Sequence, residues 1–495
     1  MAKCIMVQGT MSGAGKSLLV TALCRVFLQD GWRVAPFKSQ NMALNSYITR
    51  DGLEMGRAQV AQAEAAGREC DVRMNPILLK PSSDTGSQLI VNGEVRGQYC
   101  AASYFQMKKS LIPDILRAYN SLAEENDIIV IEGAGSPAEI NLRQDDIVNM
   151  GLAELVDAPV ILAGDIDRGG VFAQLYGTVA LLLPEERKRV VGTVINKFRG
   201  DVELLRPGLV QIEALTGVPV LGVVPYLHVD IDDEDSLAPR LSQTDAVRPL
   251  DVAVIRLPHI SNFTDFPPLE EHPAIGVRYV ETADRLGCPD LVILPGTKST
   301  VSDLLWLRQS GLEAAILALA SKGAPVLGIC GGYQMLGRLL SDPEGVEQAG
   351  EVRGMGLLPC ETVFTAQKTR TRVQAVTSAR PFSGARLEGY EIHMGETETA
   401  GAEPFCTFAD GTTDGAVRGA VFGTYLHGLF DTGELTKRLA EYLAGRKGLK
   451  VEELKMEPRA AYRQRQYDLL ADAVRSSLDM KRIYRAMEEF EHAKA

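Results

Sequence analysis

Short, almost uninterrupted apolar runs recur along this chain, separated by stretches of helical periodicity. That alternation constrains the fold more than any other feature. KCIMVQG (3–9), RVAPFK (33–38), DIIVIEG (127–133), PVILAGDI (159–166), VVGTVINKF (190–198) and PVLGVVP (219–225) form a first series. A strand wetted on one face alternates polar and apolar residues, whereas runs this continuous need cover on both faces, as in a parallel sheet between helix layers. The intervening stretches supply that cover: after Lys16, the residues Leu18, Leu19, Ala22, Leu23, Val26 and Phe27 share one helix face. The series predicts a doubly wound α/β domain over residues 1–228. VDIDDEDSLAPRLSQTDAVRP (229–249), acidic and then polar with two prolines, reads as a linker. The pattern then restarts with DVAVIRLP (251–258), DLVILPG (290–296), APVLGIC (324–330) and AVFGTYLHG (420–428). These predict a second α/β domain over 250–440, followed by a charged helical segment over 441–495.

A chain of 495 residues exceeds one ordinary core, in keeping with this division. Its net charge of −12 argues against nucleic acid as the main partner, because phosphate-backbone surfaces are basic. A small anionic substrate is compatible, since one pocket can differ in sign from the whole. No run of about 18 apolar residues occurs, so no membrane span is expected. MAKCIMVQGT has a single lysine and no apolar stretch of signal-peptide length. The eight cysteines form no C-x-x-C pair, which points to a reducing cytoplasm rather than to disulfides or zinc. Assembly into a homo-oligomer stays open.

GTMSGAGKS (9–17) joins a predicted strand to a predicted helix. Glycines there let backbone N–H groups face an anion, and the helix N-terminus adds partial positive charge. Gly13 and Gly15 supply the turns, Lys16 would reach terminal phosphates, and the Ser17 hydroxyl would ligate Mg²⁺. The pattern departs from G-x-x-x-x-G-K-[ST] in that Thr10 stands where the first glycine belongs. Two more groups end predicted strands on the side where doubly wound sheets bind ligands. Lys38 is a cation suited to a transferring phosphoryl group, and Glu132 a carboxylate suited to Mg²⁺. The spacing resembles the dethiobiotin synthetase-like branch of P-loop enzymes, which activate a carboxylate-type group with ATP. By that resemblance Asn196, in VINKFRG, reads adenine.

VLGICGGYQML (326–336) is a strand–Cys–Gly-Gly–helix corner, the cysteine counterpart of a nucleophile elbow. Cys330 would be lifted out of the sheet as a nucleophile, with the Gly331 N–H as one oxyanion donor and Gly296, in LPGTKST, as a second. A thiol needs a base. Of the six histidines, His427 in GTYLHGLF has the best context; His393 in YEIHMGE is given a substrate or structural role. The pair resembles a class I, triad-type glutamine amidotransferase. That family usually has His-Pro-Glu, and here His427 is followed by Gly428 and Leu429, so the third member of the triad has no candidate at that place.

FKSQNMALNS (37–46), GRAQVAQAEAAG (56–67), MNPILLKP (74–81), IEGAGSPAEINLR (131–143), GDIDRGGVFAQLYGT (164–178), LPHISNFTDF (257–266), GYEIHMG (389–395) and TYLHG (424–428) together resemble the cobyric acid synthases over nearly the whole chain. The resemblance implies a fused amidoligase of cobalamin biosynthesis. It takes L-glutamine, ATP with Mg²⁺ and a corrinoid, and it amidates the b, d, e and g carboxylates of adenosylcobyrinic acid a,c-diamide. Asp165, Asp167 and Arg168 lie beside the expected nucleotide site. Two alternatives remain: a cobyrinate a,c-diamide synthase, which shares both chemistries, and a ParA- or MinD-like ATPase switch, which would need no glutaminase half.

Overall fold

The computed structural model describes residues 2–81, 86–231, 241, 248–449 and 459–492. Two compact units interleave along the chain: Met1–Ala43 with Glu54–Asp232 and Tyr462–Ala495, and Leu44–Leu53 with Asp233–Ala461. Most of the expected linker over 229–249 lies outside the described residues.

In the first unit the strands Lys3–Gly9, Val34–Phe37, Ile128–Glu132, Val160–Asp165, Val190–Phe198 and Val220–Pro225 make one six-stranded sheet. Every pairing in it is parallel. Each predicted run therefore forms a strand, to within a residue or so at its ends. Ile128, Ile129, Val130 and Ile131 are wholly buried, as expected of a strand covered on both faces. Lys3–Gly9 lies between Val160–Asp165 and Ile128–Glu132, so the order reverses at the first strand. The switch leaves a crevice at that strand's carboxyl end, where doubly wound sheets take their ligands. The helix Lys16–Gln29 buries Leu19, Val20, Leu23, Val26 and Phe27 against the sheet; Leu18, placed on the same face by periodicity, is only partly covered.

Described residues of the carboxyl-terminal segment 462–492 enter this unit's core. Tyr467, Leu470, Val474, Ile483 and Met487 share one apolar cluster with Ile5, Val7 and Phe27. The segment also covers an open sheet edge, since the Asp479 N–H donates to the Leu221 carbonyl at 2.8 Å. A second sheet of Gln40–Met42, Ile77–Pro81, Gly86–Val91 and Glu94–Cys100 was not anticipated.

In the second unit Ile275–Val280, Leu250–Ile255, Leu291–Leu294, Val326–Ile329 and Val421–Thr424 are parallel neighbours in that order, and Ala416–Arg418 closes the edge antiparallel. The run expected as one strand over 420–428 divides. Val421–Thr424 stays in this sheet, while Leu426 and His427 pair with Glu391 and Tyr390 in another. That other sheet is built on a long ribbon, Cys360–Thr377 against Arg386–Thr399. The ribbon's burial alternates along its length, so it lacks the continuous apolar signal of the parallel strands. The helix Glu434–Arg446 completes the unit.

Phe27 is fully buried, its ring 5.4 Å from that of Tyr484 in a T-shaped contact. Phe27→Ala removes this anchor of the carboxyl-terminal segment. It should cost about 3–5 kcal/mol, read as a lower urea midpoint with an unchanged slope; a loss below about 1 kcal/mol would contradict the packing described.

Candidate functional site

The first unit gathers its chemistry around Glu132, at the end of the strand Ile128–Glu132. This carboxylate is 1% exposed. Ser17 Oγ donates to its Oε1 at 2.8 Å, Lys38 Nζ donates to the same oxygen at 2.8 Å, and Gln62 Nε2 donates to Oε2. A buried carboxylate is costly unless its charge is matched and its lone pairs are occupied, and these three donors do both. Gln62 had not been singled out; it comes from the helix Arg57–Ala65, within the quoted GRAQVAQAEAAG.

The loop between Gly9 and Lys16 turns through left-handed glycines, Gly13 at φ 73° and Gly15 at φ 89°. A Cβ on Gly15 would come within 2.1 Å of Asn196 Nδ2, so only glycine fits both the backbone angle and the space. Asn196 itself donates from Nδ2 to the Ala14 carbonyl at 2.9 Å and so lies directly against the loop. Lys16 curls over it, with Nζ 3.2 Å from the Met11 carbonyl and 3.1 Å from that of Gly135. The Thr10 hydroxyl donates to Gln174 Oε1 at 3.0 Å. Asp165 pairs with Lys197 at 2.8 Å and Asp167 with Arg199 at 2.9 Å, while Arg168 stands 3.9 Å from Asp165.

These residues fit a nucleotide and its metal. The glycine turns expose backbone to an anion, and Ser17 Oγ beside Glu132 Oε1 is an all-oxygen pair. A hard cation such as Mg²⁺ takes one or two such ligands together with phosphate oxygens and water.

The second unit holds Cys330 between the strand Val326–Ile329 and the short helix Gly331–Leu336, at φ 52° and ψ −111°. A β-carbon residue there costs on the order of 1–3 kcal/mol and persists only when its surroundings fix it. Here the Cys330 N–H donates to the Thr424 carbonyl at 2.8 Å, and the Gly332 N–H to that of Pro295 at 3.1 Å. Gly332 can be nothing larger, because a Cβ would meet the Leu294 carbonyl oxygen at 2.0 Å. Cys330 Sγ lies 3.5 Å from the Ile392 carbonyl oxygen, to which the thiol donates.

His427 is completely buried and interacts with the Cys330 side chain. Its Nδ1 lies 2.7 Å from Asp265 Oδ2, and the other oxygen of Asp265 accepts the Gly428 N–H at 2.8 Å. Asn262 Nδ2 is 3.3 Å from Nε2, and the Tyr390 ring stacks on the imidazole at 5.5 Å. Burial alone would lower the imidazole's pKa; the Asp265 carboxylate outweighs it, with help from Cys330, and pushes it up to about 10. Gly296 lies against the same ring, since a Cβ there would come within 2.9 Å of His427 Cε1. Gly331 packs on Thr297, the next residue along that loop. Cys330, Gly331, Gly296 and His427 therefore meet at one place. His393 stacks on Tyr425 at 3.7 Å instead, and burial lowers its pKa to about 4.

Asp265, like Gln62, is a site residue that reading along the chain missed. It lies within LPHISNFTDF, far from His427 in sequence, and only its position inside that quoted motif marked it.

Family models match both units: the CobQ/CobB/MinD/ParA nucleotide binding domain over residues 5–236, and the CobB/CobQ-like glutamine amidotransferase domain over 251–435. Among curated relatives, a cobyric acid synthase of Ruminiclostridium cellulolyticum is 58% identical over 502 residues, covering 99% of this chain and 98% of the relative. Those of Lachnoclostridium phytofermentans and Yersinia enterocolitica are 55% and 53% identical, with 99% of this chain and 100% and 99% of the relatives covered.

Two outcomes test this geometry. Asp265→Asn removes the main influence opposing burial, so the pH at which His427 loses its proton should fall from about 10. Alkylation of Cys330 by iodoacetamide should then need more alkaline pH, and an unchanged pH profile would remove Asp265 from the site. The raised pKa also stabilises the fold fully below about pH 6.5, a contribution lost as pH rises through 10. Gly332→Ala should cost at least about 3 kcal/mol, read as a lower midpoint of thermal or urea unfolding.

Proposed function

This chain belongs to the cobyric acid synthase family, and from that premise we propose that it converts adenosylcobyrinic acid a,c-diamide to adenosylcobyric acid in cobalamin biosynthesis. Each of the b, d, e and g carboxylates is amidated at the cost of one glutamine and one ATP. The observation that carries the reading is a strained cysteine elbow beside a buried histidine–aspartate pair, in a chain that also holds a phosphate loop ending on a buried carboxylate.

In the glutaminase half, the Cys330 thiolate attacks the side-chain carboxamide of glutamine. The Gly331 N–H, with Gly296 as second donor, receives the developing oxyanion. His427, kept protonated by Asp265, gives its proton to the departing nitrogen, so ammonia leaves and a thioester remains for water to cleave. Asp265 stands in for the acid that does not follow His427 in sequence, and acts by positioning and charge.

In the synthetase half, the glycine loop and Lys16 hold the triphosphate of ATP, and Asn196 contacts the adenine end. Ser17 and Glu132 hold Mg²⁺, which supplies neutralisation of phosphate charge. Lys38 lies where negative charge develops on the phosphoryl group in transit. The acceptor carboxylate takes that group, giving an acyl phosphate and ADP. Ammonia then displaces phosphate and leaves the amide. Fusing the two activities avoids releasing ammonia to water, where at neutral pH it is mostly non-nucleophilic ammonium. Soluble cytoplasmic operation fits this chemistry, and among the described residues no helix is long and apolar enough to cross a membrane.

The cobyrinate a,c-diamide synthase alternative predicts consumption of the diacid rather than the diamide, which an acceptor assay separates. Cys330→Ser should abolish glutamine-dependent synthesis and leave synthesis from added ammonium. Loss of both in a folded variant would defeat the division of labour. Lys16→Ala should lower synthesis from either nitrogen source by at least about 10²-fold; full turnover would defeat the phosphate-loop assignment.

A further inference from the structure

The unanticipated second sheet of the first unit walls a recess of about 530 Å³. Met42, Leu79, Tyr104 and Phe105 give it a broad apolar side, and Ala134–Pro137 and Ile147 form another. That second wall is continuous with the phosphate site. Ala134–Pro137 follows Glu132 in the chain, and the Gly135 carbonyl accepts from Lys16 at 3.1 Å. The Ile147 carbonyl accepts from Ser39, the neighbour of Lys38, at 2.7 Å. A molecule lodged here would lie against the groups that handle phosphate.

The recess contains a buried cation whose charge is not met among the described residues. Lys108 lines it and is only 7% exposed. Its Nζ sits 4.0 Å from the centre of the Phe105 ring, with no hydrogen bond or ion pair to an acid among the described residues. The two carboxylates whose charge bears on it are engaged elsewhere. Asp145 pairs with Lys109 at 2.9 Å, and the oxygens of Asp146 accept the backbone N–H groups of Val148, Asn149 and Gly151 at 2.8, 2.8 and 2.9 Å. Burying an ammonium without a partner is costly, and burial does pull its pKa down, opposed by those two acids at longer range. A ligand bearing a carboxylate removes the cost. Glu139, Arg143 and Glu186 also line the recess, Arg143 lying 3.7 Å from Glu186, and a volume of this size with a broad apolar side and a few polar groups is that of a small-molecule site.

We propose that this recess is the acceptor subsite, in which Lys108 pairs with a peripheral carboxylate of the corrinoid while Met42, Tyr104 and Phe105 cover an apolar face of the macrocycle. The inference rests on the proposed function and adds to it a place and a recognising charge for the substrate. Each amidation erases one carboxylate, so the subsite holds substrate more tightly than finished product.

Equilibrium binding followed by the corrinoid's visible absorbance tests this, without glutamine or ATP. The full-length wild type should bind adenosylcobyrinic acid a,c-diamide more tightly than adenosylcobyric acid, whose b, d, e and g groups are amides. Lys108→Met should weaken binding of the acid roughly 10- to 100-fold, the loss of a charge-assisted hydrogen bond. It should weaken binding of the amidated product far less, and Lys108→Arg should restore most of the difference. Equal affinity of the wild type for acid and amide, or unaltered acid binding by Lys108→Met, would overturn the proposal. The wild-type comparison needs no variant to fold. A wild type that binds the acid but cannot amidate it with ATP and glutamine would instead overturn the proposed function, and this subsite with it.

Discussion

A parallel strand buried on both faces must surrender its chain at its carboxyl end, and this constraint organises both units. At that edge the backbone leaves the sheet with unpaired polar groups that need partners. The chain turns them to use: the phosphate loop follows Lys3–Gly9, Glu132 closes Ile128–Glu132, and Cys330 follows Val326–Ile329. In the first unit the order of strands reverses beside Lys3–Gly9, so the crevice opens at the strand that carries the loop. In the second, the strand Val421–Thr424 lies next to that of the cysteine, and its Thr424 carbonyl accepts the Cys330 N–H that anchors the elbow. The reactive groups stand where they do because the sheet ends there.

Each unit also resolves the same electrostatic problem. A carboxylate taken out of water must be answered by donors, and once answered it governs its neighbours' charge. Asp265 spends one oxygen on the Gly428 backbone and the other on His427, which both fixes the ring and keeps it cationic against the pull of burial. Glu132 is met by Ser17, Lys38 and Gln62, so the Lys38 ammonium and the Ser17 hydroxyl are ordered by one group. Lys108 is the counter-case, a buried charge whose answering partner is not supplied by the described residues.

The parallel strands were legible in the sequence because their signal is continuous and local: Ile128–Glu132 is buried throughout, and Gly192–Asn196 forms the buried middle of VVGTVINKF. The ribbon Cys360–Thr377 with Arg386–Thr399 and the small sheet around Gly86–Cys100 were not. The ribbon mixes exposed with buried positions and the edge strand Glu94–Cys100 buries none of its residues, so both are held by pairing across strands rather than by composition. The division of AVFGTYLHG between two sheets was equally hidden, since no local feature marks where a run changes its pairing partner. Among site residues, Lys16, Ser17 and Cys330 announce themselves by glycine spacing next to a strand. Asp265 and Gln62 sit in ordinary-looking segments and act only through what folds against them.

By itself the sequence determined two doubly wound units, the loop for a phosphate and the corner for a thiol, because each depends on neighbours within a few positions. Tertiary structure alone decided which acid serves His427, which amide completes the shell of Glu132, and that the last residues of the chain close the core of the first unit. Those choices depend on distances between segments remote in sequence, and such distances are set by packing, not by any residue's own preference.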